Sequence, residues 1–402
     1  MTTRSSIKGA GPHPRDVAPT TTPRSSQHEA APIVFYISGH GFGHAARAIE
    51  VINVLGKLRP DVPVCVRTSA PRRLFDLTLR RPVEFFDLEC DTGIVQKDSL
   101  HLDEAASIRK AAEFHRTLAG RAGQEAAFLR SYGARIVVGD IPPLASAAAF
   151  TAEVPSILIG NFTWDWIYEG YPELLTPAPD LVATIRRAYS TASRALRLPM
   201  SGGFSGLATV TRDIPFVARR SMRDPAEVRK ALGVPPDKPL VLVSFGGYGV
   251  AGLDSTRLSA LADYTFATTD APSRDGWTKP VELKGLVSLS EQTLYDAGYR
   301  YEDLVRASDV VVTKPGYGII AEAIANDTAM LYTSRGRFVE YDVLVAEMRR
   351  YLRAEYIEQS DLLAGRWKEG LDRLLRAPKP TATADISGDR VAAEASLELY
   401  ET

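Results

Sequence analysis

From Pro32 onward the chain alternates short β-branched runs with longer helical stretches, and that rhythm commits it to βα units around a parallel sheet. The first half offers strands at Ile33 to Ser38, Val62 to Thr68, Val83 to Phe86, Ile136 to Gly139 and Ser156 to Gly160. Helical patterns lie between most of them. The stretch Leu102 to Arg130 is the longest, and Pro179 to Leu196 carries Leu181, Ile185, Tyr189 and Leu196 at helical spacing. The segment Ile214 to Asp224, followed by Pro225, breaks the pattern. A second βα series follows, with strands at Pro239 to Ser244, Tyr264 to Thr268, Val281 to Leu283, Asp309 to Thr313 and Ala329 to Thr333. The expected fold class is therefore α/β, with two Rossmann-like halves that face each other across a cleft at the carboxyl ends of their strands. The expected division is a disordered tail at 1–31, a first domain at 32–215, a second at 222–380, and a closing segment at 381–402 that forms a helix on the first domain.

Composition removes several classes of function. A formal net charge of −1 over 402 residues, with neither half strongly basic, argues against a protein that finds nucleic acid or membranes by its field. Cys65 and Cys90 are the only cysteines, too few for a disulfide framework or a zinc site, and they fit a reducing, cytoplasmic setting. No apolar run approaches the roughly 20 residues needed to cross a bilayer. The first 31 residues are rich in Ser, Thr, Pro and Arg and lack the apolar stretch of a signal peptide.

The nine residues Lys314 to Glu322, KPGYGIIAE, sit where an apolar strand turns into a helix. Gly316 and Gly318, on either side of Tyr317, let backbone approach a ligand, and the free N–H groups of a helix start attract an anion. Glu322 lies four residues after Gly318, on the same helix face, where a carboxylate accepts hydrogen bonds from a ribose diol. Lys314, just before the turn, reaches a phosphate oxygen. A nucleoside diphosphate fits that junction. An ordinary helix start with a solvated glutamate fits the same spacing.

After the first strand, Gly39-His40-Gly41-Phe42-Gly43-His44 leads into a helix expected to begin near Ala45. The spacing is GxGxG rather than GxGxxG, and the second strand ends in Arg67-Thr68 where a ribose-binding acid belongs, which excludes a hydride-transferring enzyme. No GK[ST] ending is present, which excludes the phosphate loop of an NTPase. The loop instead sets two imidazoles at the mouth of a cleft, where His44 suits a general base and His40 an acceptor contact. Asp140, at the end of IVVGD, falls on the same sheet edge and can hold the far ring nitrogen of His44, fixing its tautomer. The alternative is that His44 and Asp140 each cap a helix.

These residues resemble the GT-B nucleotide-sugar glycosyltransferases. Gly43-His44 is similar to the glycine-rich loop of the N-acetylglucosaminyl transferase that makes lipid II, and to the Gly-His of plant and bacterial natural-product glucosyltransferases. In the latter that histidine is the base and an aspartate, here Asp140, its partner. Lys314 to Glu322 keeps the family's separation between a phosphate contact and a ribose glutamate. A closer likeness is to the amino-terminal, glycosyltransferase-like half of plant L-arabinokinases and their bacterial relatives. It rests on YISGHGFGHAAR, GDIPPLASAAA, GNFTWDWIYEGY and ASDVVVTKPGYGIIAEA, with RFVEYDVL and LLAGRW, and covers most of Pro32 to Trp367. The sugar-kinase half of those plant proteins has no counterpart here, so arabinose phosphorylation is not expected.

The resemblance implies a transferase whose second domain holds a nucleoside diphosphate sugar, UDP-linked, while the first binds a small-molecule or lipid-linked hydroxyl acceptor. It implies inversion, no metal and no cofactor beyond the donor, with no nucleic acid or membrane span involved. Ser244-Phe245-Gly246-Gly247 stands where the family covers the diphosphate with a glycine-rich loop. Glu340 stands where an acidic residue followed by Gln holds sugar hydroxyls, but Tyr341 replaces the Gln. Arg335 and Arg337 share that loop, as added charge near the pyrophosphate or as solvated arginines. Trp164 and Trp166, alternating on an extended segment, would share one face as sugar platforms or form core, with Asp165 between them a further acceptor contact. A nucleotide-sugar-binding module without transfer, and an epimerase on the same fold, remain as alternatives.

Overall fold

The computed structural model describes residues 30–246, 250, 252–269, 272–273, 276–277, 286–289 and 291–402. Gly247, the strand expected at Val281 to Leu283, and nearly all of the expected 1–31 tail lie outside the described residues.

The first sheet contains β1 (Ile33–Ile37), β2 (Val64–Thr68), β3 (Glu84–Asp87), β4 (Ile136–Asp140), β5 (Ser156–Gly160), β6 (Arg194–Arg197) and β7 (Thr211–Asp213). They run parallel in the order β3-β2-β1-β4-β5-β6-β7. The second half adds β8 (Leu240–Val243), β9 (Thr265–Thr269), a short antiparallel ribbon of β10 (Pro272–Ser273) and β11 (Gly276–Trp277), then β12 (Leu286–Leu289), β13 (Val310–Thr313), β14 (Ala329–Tyr332) and β15 (Ala354–Tyr356). Its main sheet is also parallel, in the order β12-β9-β8-β13-β14-β15. Both orders reverse direction beside their first strand, at β1/β4 and at β8/β13, which is where such sheets open a crevice.

Two stretches depart from expectation. Leu102 to Arg130 is two helices, Glu104–Arg116 and Leu118–Tyr132, the first capped by the Asp103 side chain on the Ala106 amide. Pro179 to Leu196 is a helix only over Leu181–Tyr189, and its last residue, Leu196, belongs to strand β6. The spacing of Leu196 from Tyr189 matched a helical face by coincidence.

Central strands are buried on both faces, as parallel strands under helices must be. Ile33, Phe35 and Ile37 of β1 belong to one apolar cluster with Leu240, Leu242, Val311 and Met330 of the second sheet, so that core runs continuously through both halves. Val34 and Tyr36 face a second cluster drawn mostly from the first half, joined by Phe338 of the second, and Val241, Val243, Val310 and Val312 face a third. The chain passes between the halves around Phe216 and returns beside that crossing, with the Phe216 amide donating to the Asp385 carbonyl at 3.0 Å and the Gly388 amide to the Phe216 carbonyl at 3.0 Å. The returning chain ends in helix Gly388–Glu401, laid along helix Phe42–Leu58 of the first half. Among the described residues no helix is long and apolar enough to cross a membrane.

Candidate active site

The helix after β1 begins at Phe42, earlier than the expected Ala45, with Gly41 at its N-cap, so His44 sits in its first turn. β1 pairs with β4 in a register that sets Ile37 opposite Asp140, which brings the two loops to one sheet edge. His44 Nδ1 lies 2.8 Å from Asp140 Oδ1, and both side chains are buried.

The sequence reading missed Arg47. One turn on from His44 and on the same helix face, it donates from Nε to Asp140 Oδ2 and from Nη2 to Asp140 Oδ1, each at 2.6 Å. Its spacing of three from His44 was the available signal. Burial alone would raise the Asp140 carboxyl, but Arg47 and His44 outweigh it and hold the group below its usual range. Burial disfavours the Arg47 cation as well, and the Asp140 charge more than restores it. Arg47 Nη2 also lies 3.0 Å from His44 Nδ1. One ring nitrogen cannot donate to the carboxylate and accept from the guanidinium at once. The shorter, charged contact to Asp140 favours Nδ1–H, which leaves Nε2 with its lone pair free to accept a proton.

Arg47 continues into the other half. Its Nη1 donates to Asn161 Oδ1 at 2.9 Å, and Asn161 Nδ2 donates to Glu340 Oε1 at 2.7 Å. Glu340 lies in the first turn of helix Val339–Met348 and is buried, so the residue expected to hold sugar hydroxyls is tied to His44 through a continuous bonded path. Asn161, directly after β5, stands near the start of the GNFTWDWIYEGY block that carries the resemblance, but nothing in sequence assigned it this bridging role.

Gly43 and Gly318 meet backbone to backbone. A Cβ built on Gly318 would stand 3.1 Å from the Gly43 Cα, so side chains at these positions would push the two helix starts apart. Helix Tyr317–Asn326 begins there with Gly316 as its N-cap and no side chain on its free amides. Two positive helix ends thus converge. Lys314, just past β13, adds an amine that burial, chiefly, and nearby Arg335 lower from 10.5 to about 7. Its Nζ donates to Gln96 Oε1 at 3.0 Å. Tyr317 is buried, its ring 5.3 Å from the Arg47 guanidinium carbon. Gly246, at φ +72°, ends the described part of its loop in a conformation that suits glycine, two residues beyond Ser244.

Other expectations change. Arg335 is not solvated: it is buried, stacks 4.1 Å from the Phe338 ring centre, donates from Nη1 to the Pro315 carbonyl at 3.3 Å, and has a lowered pKa, mainly through burial. Arg337 is exposed and pairs with Glu173. Glu322 is not a solvated helix residue. It is buried, and its Oε1 accepts from Arg219 Nε at 2.6 Å, with Arg219 held charged by Glu322 and Glu302 against the cost of burial. A ribose at Glu322 would therefore have to share it with Arg219.

His40 packs edge-on to Trp164 at 5.5 Å and accepts from the Ile94 amide at 3.3 Å, its imidazole kept neutral by burial, with neighbouring His44, Arg335 and Lys314 adding to the effect. Trp164, Asp165 and Trp166 lie on helix Trp164–Glu169, not on an extended segment, so the two indoles point to different faces. Trp164 is wholly buried, its Nε1 donating to Asp91 Oδ2 at 2.8 Å, and Asp165 is buried against Arg186 at 3.0 Å. Trp166 covers Gly202, where an added Cβ would stand 2.3 Å from the indole. Packing explains all three.

No protein-family model matches the chain. The L-arabinokinase of Arabidopsis thaliana is 30% identical over 382 residues, which is 92% of this chain and 34% of that protein. The chain thus spans about a third of that relative's length. Among solved structures, the glycosyltransferase SnogD from Streptomyces nogalater superimposes with a TM-score of 0.52 at 17% identity, covering 92% of this chain and 95% of that one. A UDP-glucosyltransferase from Polygonum tinctorium gives 0.55 at 15%, covering 94% and 100%. UGT89C1 of Arabidopsis thaliana, complexed with UDP, gives 0.51 at 15%, covering 92% and 99%. The chain has the GT-B fold, two facing Rossmann-like domains as in these glycosyltransferases, and its sequence is akin to one part of a plant L-arabinokinase.

Proposed function

We propose that the chain is a glycosyltransferase that moves a sugar from a nucleoside diphosphate donor, UDP-linked, to a hydroxyl acceptor, with inversion. The observation that carries this reading is the His44–Asp140 contact at 2.8 Å on one side of the Gly43–Gly318 approach, with Lys314 and Arg335 on the other. Burial disfavours both cations more than Asp98 and Glu340 restore them, so an arriving anion would be welcome there. His44 Nε2 takes the acceptor hydroxyl proton as that oxygen attacks the anomeric carbon. The bond from that carbon to the diphosphate breaks on the opposite face, and its electron pair leaves with the diphosphate. The negative charge falls on Lys314, Arg335 and the free amides at Gly316 to Gly318, which in this reading carry the load a divalent metal would otherwise take. Gly246 and Gly247 complete the diphosphate cover, and Glu340 meets the sugar. Among the structural neighbours, the Polygonum tinctorium UDP-glucosyltransferase and the UDP complex of UGT89C1 support uridine as the donor's nucleoside. The kinase activity in the relative's name is not carried over, because the alignment covers a third of that protein.

Arg47 favours a second reading, a nucleotide-sugar-binding module. It neutralises Asp140 from both sides, and a dyad whose acid already has a cation is a weaker base. Incubation with a panel of nucleotide sugars, followed by thermal stabilisation and release of free diphosphate, separates the two. Stabilisation with release that His44→Ala abolishes, at donor affinity within a few-fold, supports transfer. Stabilisation without release, even with acceptors present, supports the module. An altered nucleotide sugar formed without acceptor would point to an epimerase, and no stabilisation by any donor refutes both main readings.

A further inference from the structure

Between Val95 and Asp103 the first half sends a hairpin across to the second. The Asp103 amide donates to the Val95 carbonyl and the Lys97 amide to the His101 carbonyl, each at 2.9 Å, and Asp98 Oδ1 accepts from the amides of Leu100 and His101 at 2.7 and 2.9 Å. Its tip is anchored in foreign territory. Leu100 is 2% exposed and belongs to the second half's cluster with Val241, Val243, Phe245 and Leu331, and Ser99 Oγ donates to the Phe245 carbonyl at 2.7 Å. Phe245 lies in the loop assigned above to the diphosphate. Gln96, on the same hairpin, reaches the second half's Lys314.

We infer that Gln96 is a donor-contacting residue supplied by the first half, and that the Val95–Asp103 hairpin makes the diphosphate site bipartite. This rests on the reading under Proposed function and deepens it. The amide oxygen of Gln96 satisfies one N–H of Lys314 without cancelling its charge, so the amine stays available to an anion. The amide NH2 of Gln96 has no protein partner among the described residues, and it is a donor placed beside that amine. A diphosphate oxygen arriving at Lys314 thereby meets a second donor. The helix of Glu340 offers no such group, because Tyr341 follows it. Ser99 and Leu100 fix the hairpin against the phosphate loop, so Gln96 is held in place rather than free to swing away.

Titration calorimetry with UDP and UDP-glucose tests this on the full chain, using Gln96→Met, which keeps side-chain length without the amide's hydrogen bonds, and Gln96→Ala as a second variant. Loss of a hydrogen bond to a charged oxygen is expected to weaken both ligands about tenfold or more in each variant. Affinity unchanged within twofold in both would overturn the inference while leaving the transferase reading intact. Tighter binding in both would also overturn it, and would make the hairpin a plug instead. If the parent protein binds neither ligand, nor ADP or GDP, the reading itself has failed and Gln96 loses its role with it.

Discussion

Replacing Lys314 by methionine is expected to stabilise the folded protein near neutral pH, by an amount that shrinks as pH rises. The amine titrates at about 7 in the fold, against 10.5 for a free lysine, because burial and Arg335 disfavour its charge. Between those values the unfolded chain holds a proton that the folded one lacks, so this group's penalty is relieved as pH rises through that window and is fully present below about 7. The full penalty is on the order of 5 kcal/mol. It is a ceiling, since part of the side chain still reaches solvent, and loss of the bond to Gln96 returns about 1 kcal/mol. Methionine fills similar space and carries no proton. The gain should therefore be roughly 2–4 kcal/mol at pH 6 and smaller by about 2–3 kcal/mol at pH 9. Urea unfolding followed by tryptophan fluorescence at pH 6, 7.5 and 9 measures the difference between parent and variant. A variant less stable at pH 6, or a difference independent of pH, would refute the claim that an underneutralised amine is held at this position. The same substitution should remove diphosphate binding, making the parent's instability the cost of an anion site.

Asp140→Asn should cost about 3–5 kcal/mol in unfolding free energy, because Arg47 is left buried without its counterion. Adding Arg47→Met to it should recover much of that loss in the same assay. Glu322→Gln should be destabilising by a similar mechanism through Arg219, about 3 kcal/mol or more, with recovery in a double Arg219→Met, Glu322→Leu variant measured by urea titration. Leu100→Ala should cost about 2–5 kcal/mol, read as a lower denaturation midpoint. If the midpoint is unmoved, the hairpin tip is not seated in the second half.

The βα rhythm was legible because buried parallel strands must be apolar and β-branched, and this made two facing α/β halves readable before any contact was known, while the GT-B likeness came from the motifs. The meeting of His44 with Asp140 was legible for a geometric reason: Asp140 ends β4 and His44 opens the helix after the neighbouring β1, so their edge was determined by topology. Arg47 was not, since an arginine on a helix says nothing of its counterion. Arg219 lies 103 residues from the glutamate it holds, and no local pattern encodes such a pairing. The segment NFTWDW was read as extended because a helix of six residues is too short to display its period, and the residue before it, Thr163, has strand-like angles as its N-cap. For Arg335 both a solvated and a buried place fit the sequence, since general burial tendencies do not decide a single arginine.

The outgoing and returning chains are bonded to each other at Phe216, so the two crossings form one pivot. That pivot packs on the face of the second sheet carrying Leu240 and Leu242, whereas Leu100 is gripped on the opposite face by Val241 and Val243. Leu100 is one of several points held across the halves, with Asn161–Glu340 and Arg337–Glu173 among the others, so a swing must release it together with them. Exposing one buried leucine costs about 2–3 kcal/mol, which slows opening by roughly 30- to 150-fold. The residence time of whatever the cleft encloses would then depend in part on a leucine that touches none of it.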